Sequence, residues 1–123
     1  MEKRAIRSFR DLMVWQKAMK VVTKAYEISR KFPKDEVYGL TQQLRRCAVS
    51  VPSNIAEGYG RKSTNDYLRF LQIAIGSLYE MQTQMEIALN LGYVGQNEFN
   101  SLSEDAMEIE RMLCILSSKI QVS

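Results

Sequence analysis

No histidine occurs in this sequence. That absence removes the usual general base, the usual partner of a nucleophilic serine or cysteine, and the commonest transition-metal ligand. It also excludes the Glu-x-x-His pairs of di-iron helical bundles. Cysteine is scarce as well: the 2 residues, Cys47 and Cys114, lack CxxC spacing and fall within apolar helical patterns, which predicts reduced, buried thiols. Of the 2 prolines, Pro33 is expected to end the first helix and Pro52 falls inside the second. Nowhere does the chain approach the roughly 18 uncharged apolar residues of a membrane span. Its opening, MEKRAIRSFRD, lacks the apolar core of a signal peptide, so a cytoplasmic location without membrane contact is expected. There is no phosphate-binding GxxxxGK[ST] loop either; GYGRKST has the wrong spacing and reads as a turn followed by a helix cap. Together these gaps predict a protein that is not an enzyme and carries no catalytic residue, cofactor or metal.

What is present is ordinary globular material, 46% hydrophobic and 25% charged, in 123 residues that suit one domain over 1–123. The net charge is only +3, but its distribution is uneven. Ten basic residues against three acidic precede Asp35, whereas three basic against eight acidic follow Lys62. A basic front and an acidic back point either to a nucleic-acid-facing side or to charge matching within an assembly.

Apolar periodicity near 3.6 runs through four segments, 11–32, 37–59, 64–91 and 96–121, after a basic arm over 1–10. The fold class expected is all-α, an antiparallel up-and-down four-helix bundle. In the first segment Leu12, Trp15, Met19, Val22 and Tyr26 form one stripe and Val14, Ala18, Val21, Ala25, Ile28 and Phe32 another beside it. This face is wider than one bundle core requires, and with Phe70 of the third segment it predicts a homo-oligomer. Opposite lie Lys17, Lys20, Lys24 and Lys31. They are either a solvated face or a phosphate-tracking stripe continuing back to Arg10; the arm, with Arg4, Arg7 and Arg10, is read either as a second route to phosphate or as a frayed terminus solvated by its charges.

The second segment, LTQQLRRCAVSVPSNIAEGYGRK, is the least regular. Pro52 removes a hydrogen bond and crowds the Ala48 carbonyl, which predicts a helix kinked there. Asn54, Glu57, Gly58 and Arg61 follow, and Arg45 and Arg46 precede. On one reading these polar groups hold helices or subunits together, with Glu80 the carboxylate expected to meet an arginine. On the other, Asn54, Glu57 and Arg61 face a ligand. Ser63 then caps the third helix, beside Arg61 and Lys62, an arrangement able to hold a phosphate. Tyr67, Leu71, Ala74, Leu78, Met81, Met85 and Ala88 keep a seven-residue repeat along that helix, and Gly76 with Ser77 predicts a close helix crossing. The fourth segment has one seam, Phe99, Leu102, Ala106, Ile109, Leu113, Leu116 and Ile120, with acidic outer faces suited to lie beside basic helix one.

The words RR-A-VS-PSNIAEGYGRKST and YLRFL-IA-GSL-E, preceded by FRDLMVWQKAM and KFPKDE-YGLT, resemble the four-helix-bundle family encoded within intervening sequences of bacterial 23S rRNA genes, from Phe9 to about Tyr93. Cys47 stands where that family more often has alanine. The resemblance implies an up-and-down bundle assembling into a ring, preferably a pentamer, with no known catalysis. It is similar in turn to the accessory proteins of diversity-generating retroelements, which bind reverse transcriptase and nucleic acid. The function expected is therefore a non-catalytic oligomer that associates with nucleic acid, RNA first or DNA, through its basic half. The alternative is a protein-protein adaptor ring that holds another protein such as a polymerase.

Overall fold

The computed structural model describes residues 5–122, so Arg4 lies outside the described residues. Four helices account for most of them, with no strand among them: α1 (Met13–Ser29), α2 (Leu40–Tyr59), α3 (Thr64–Asn90) and α4 (Gln96–Val122). Each packs on its neighbours in sequence, and α1 closes against α4, while the backbones of the diagonal pairs stay apart among the described residues. The result is a square up-and-down bundle, in which α2 and α3 share the most extensive contact.

The ends of these helices follow from local hydrogen bonding. The chain before α1 is a capped single turn over Phe9–Asp11 and not the plain arm expected through residue 10. There Ser8 Oγ accepts from the Arg10 N–H, while Asp11 accepts from the Arg7 and Ser8 N–H groups at 2.8 and 3.2 Å. The turn is pinned by Phe9, whose ring meets Trp15 edge-on at 5.2 Å. At the other end α1 stops at Ser29, three residues short of the expected boundary, where Ser29 Oγ donates to the Tyr26 carbonyl. Pro33 then follows a tighter turn. The second helix starts at Leu40, not at 37, because Lys34–Glu36 forms a separate turn from which Glu36 Oε1 accepts the Leu40 N–H at 3.1 Å. Gly92, at φ 77°, ends α3 by letting the Tyr93 N–H reach back to the Ala88 carbonyl at 2.8 Å.

Burial sorts the stripes. From α3, Leu71, Ala74, Leu78, Met81, Met85 and Ala88 are all enclosed; from α4, Leu102, Ala106, Ile109 and Leu113. Of the two α1 stripes only Val14, Ala18, Val21, Ala25, Ile28 and Phe32 reach the core. The other stripe stays at the surface: Trp15 and Val22 are half-buried, Met19 and Tyr26 exposed. Cys47 is buried as expected, but Cys114 is exposed, because its position on α4 falls one step off the core seam. No described helix is long and apolar enough to cross a membrane.

Pro52 lies within α2, buried against the bundle, and the helix is assigned continuously through it. The close helix crossing is not at Gly76, where an added Cβ would meet nothing within 4 Å. It is at Gly58, where a Cβ would sit 2.9 Å from Phe70 Cβ and 3.0 Å from Tyr67 Cδ1. Ser77 does lie between α2 and α3, donating to Ser50 Oγ at 2.8 Å.

Candidate nucleic-acid interface

The antiparallel pairing of α1 with α4 decides the fate of the lysine stripe. Lys17 pairs with Glu108 at 2.8 Å, Lys24 with Asp105 at 2.6 Å, and Lys31 with Glu98 at 2.8 Å. Lys24 also donates to Ser101 Oγ at 2.8 Å. Of the four lysines proposed to track phosphate, only Lys20 has no carboxylate of α4 beside it, and it is exposed. The acidic seam of α4 thus neutralises the basic seam of α1 within one chain.

Glu98 shows the coupling most directly: the hydrogen bond from Lys31 holds its carboxyl below the usual 4.5, against a smaller opposing effect of burial. A carboxylate lowered by folding adds stability above its ordinary range and loses that contribution as pH falls through the shifted value. Lys31→Met is therefore expected to lower the melting temperature slightly at neutral pH. The gap to the parent should close once the solution is well below pH 4.5, measured by thermal scans over a pH series.

The polar residues around Pro52 hold helices together. Asn54 Nδ2 donates to the Ser50 carbonyl at 2.8 Å and to Ser50 Oγ at 2.9 Å, and Ser50 meets Ser77 of α3. Neither arginine of α2 has its contact to Glu80. Arg45 instead donates through Nε to Ser29 Oγ at 2.8 Å and lies 4.7 Å over the Tyr26 ring, because it projects toward α1 and not α3. Arg46 is exposed. Glu80 accepts weakly from Cys47 Sγ at 3.5 Å. Burial, above all, pushes the Cys47 thiol up, so it is no activated nucleophile.

Six other cations lie at one end of the bundle. The up-and-down order brings together the turn before α1, the α2–α3 connection and the C-terminal turns of α4. They carry Arg7, Arg10, Arg61, Lys62, Arg69 and Lys119, all exposed. Among the described residues these six cations share their end with three carboxylates, Asp11, Glu57 and Asp66, whereas at the opposite end Arg30, Lys31 and Lys34 are matched by Asp35, Glu36 and Glu98. Arg61 reaches Glu57 at 3.2 Å and Arg69 reaches Asp66 at 3.7 Å, both exposed pairs of the weak kind. Aromatic rings lie among the cations. Arg61 and Arg69 sit 4.8 and 5.2 Å from the Phe70 ring centre, and Arg10 sits 4.6 Å from that of Phe9. Arg7, Arg10, Arg61 and Lys62 are candidates from the sequence, and the fold adds Arg69 and Lys119 to the same end. The legible signal for Arg69 was its place beside Phe70, one turn after Asp66; nothing local marked Lys119.

Comparison with known families decides the relationship, because the model for 23S rRNA-intervening sequence proteins matches residues 10–114. The chain belongs to that family. A crystal structure of a protein of unknown function from the S23 ribosomal protein family, from Bacteroides thetaiotaomicron, has the same fold. It superposes with a TM-score of 0.80 at 20% identity, covering 85% of this chain and 98% of its own. No curated protein matches. For this 23S rRNA-intervening sequence family member, then, the four-helix architecture is shared, and its own side chains must supply any argument about function.

Proposed function

We propose that this protein is a non-catalytic homo-oligomer that associates with nucleic acid, RNA first, through the basic end of its bundle. The observation that carries the reading is the unbalanced cluster of Arg7, Arg10, Arg61, Lys62, Arg69 and Lys119. Exposed guanidinium and ammonium groups with few carboxylate partners bind phosphate by releasing its counterions, and interleaved aromatic rings add sequence-tolerant stacking surfaces. The paired lysines of α1 contribute little, since a phosphate would have to displace a carboxylate already in place. Self-association gathers several such ends, which multiplies weak single contacts.

A mobility-shift titration over a salt series tests this. Arg61→Gln, Lys62→Gln and Arg69→Gln together should weaken binding to single-stranded RNA about tenfold or more. They should also flatten the dependence of log affinity on log salt by about two, near 0.7 for each phosphate that no longer meets a cation. Lys17→Gln, Lys24→Gln and Lys31→Gln together should leave that slope nearly unchanged. If the end-cluster variant binds like the parent, or the parent ignores both RNA and DNA at low salt, the protein is instead an adaptor for another protein.

A further inference from the structure

Arginines and aromatic rings are paired at the basic end of the bundle. Among the described residues four arginines lie against a ring, and three of them, Arg10 on Phe9 and both Arg61 and Arg69 on Phe70, belong to this end. The fourth, Arg45, is half-buried at the α1–α2 contact, where it also donates to Ser29. The rings at the basic end are themselves anchored. Phe70 lies against Gly58 at the end of α2, and Phe9 meets Trp15, which shares a hollow with Pro52 and Ala56 of the same helix. Two ring-backed stations therefore flank the end of α2.

Arg61 and Arg69 are also held by an edge. Each turns one Nη2 toward a carboxylate, Glu57 and Asp66, while 43% and 65% of the two side chains stays exposed. A ring behind the guanidinium and a carboxylate at one edge fix its plane, and leave its outer side and its other donors to solvent. Charge alone does not call for this arrangement, since a free lysine draws phosphate as well. What the ring adds is a rigid, flat cation on which another flat group can lie. In nucleic acid the flat groups are the bases. Within a duplex their faces are covered by the next pair, so only an unpaired base can lie on an arginine.

We propose that Arg10, Arg61 and Arg69 are stacking platforms for unpaired bases, with Phe9 and Phe70 as the residues that position them, so that this end takes single strands in preference to duplexes. The inference rests on the nucleic-acid part of the proposed function. Charge alone ranks the two the other way, because a duplex carries about one phosphate charge per 1.7 Å of length and a single strand about half as many. A preference for the single strand must therefore come from contacts to the bases. Every base has a face to offer, so the preference carries little dependence on sequence.

Mobility-shift titrations on the full chain test this with a single-stranded RNA and the duplex of the same sequence. The parent should bind the single strand at least about fivefold more tightly, and Phe70→Leu should lose about tenfold of that affinity while duplex binding changes less than about twofold. Because Phe70→Leu removes no charge, the dependence of log affinity on log salt should keep the parent slope. Phe70→Tyr, which keeps a ring behind both arginines, should bind as the parent does. Phe70 also touches α2, so a second measurement uses the unaltered protein and decides the matter if Phe70→Leu unfolds. A single-stranded DNA should bind at least about fivefold more tightly than an abasic strand of equal length, which has the same phosphates and no bases. Duplex bound as tightly as single strand, abasic strand bound as tightly as the intact one, or Phe70→Leu weakening single strand and duplex alike, overturns the stacking platform and leaves the basic end as a charge-only site. A parent that binds none of these probes at low salt overturns the nucleic-acid reading with it.

Discussion

Gly58→Val is expected to destabilise the protein by about 3 kcal/mol, at the upper end of the range for overpacking a close contact. The reason lies in what its side chain would meet. A Cβ at this position falls 2.9 Å from Phe70 Cβ, 3.0 Å from Tyr67 Cδ1 and 3.3 Å from the Tyr67 carbonyl oxygen. Two of those atoms are backbone or fixed to it, so no rotamer change relieves the clash and α2 must move away from α3. That pair forms the most extensive helix contact in the bundle. Gly76→Ala supplies the internal comparison: its Cβ meets nothing within 4 Å, and removing a mid-helix glycine should stabilise by about 0.5–1 kcal/mol. Urea unfolding at one fixed protein concentration measures both. Equal stability of Gly58→Val and the parent would show that the two helices do not cross at this distance.

Leu78→Ala should cost a similar amount, about 3 kcal/mol within the 2–5 found for buried leucines, by a different mechanism. Leu78 is fully enclosed within the core that α3 shares with the facing helices, so truncation leaves a hole that rigid helices only partly close. Against the roughly 5–15 kcal/mol that holds a domain folded, the loss is large. Cys114→Ala, at a position whose apolar pattern points inward but whose side chain is exposed, should change stability by no more than about 0.5 kcal/mol. A large loss there, or a negligible one at Leu78, would contradict the packing described here.

Much of the bundle was legible beforehand because helical periodicity reports burial directly. The α3 seam from Leu71 to Ala88 and the α4 seam from Leu102 to Leu113 are enclosed as their spacing requires. What spacing left open is the rotation of each helix. The two adjacent apolar stripes on α1 make a face wider than one core requires, and burial shows that the one through Ala18 and Ala25 is the one that faces the centre. Gly76 and Gly58 likewise look alike in one dimension. Which of them faces another backbone depends on rotation about the helix axis.

The candidate site followed the same division. By its residues alone this chain determined four amphipathic helices, the absence of histidine chemistry, and a basic front with an acidic back, because these properties belong to composition and to repeats within one segment. Only the tertiary structure decided that Lys17, Lys24 and Lys31 pair with α4 while Arg61, Lys62 and Arg69 do not. Charges far apart in sequence cancel only when folding brings them within a few ångströms, a distance that no linear spacing encodes.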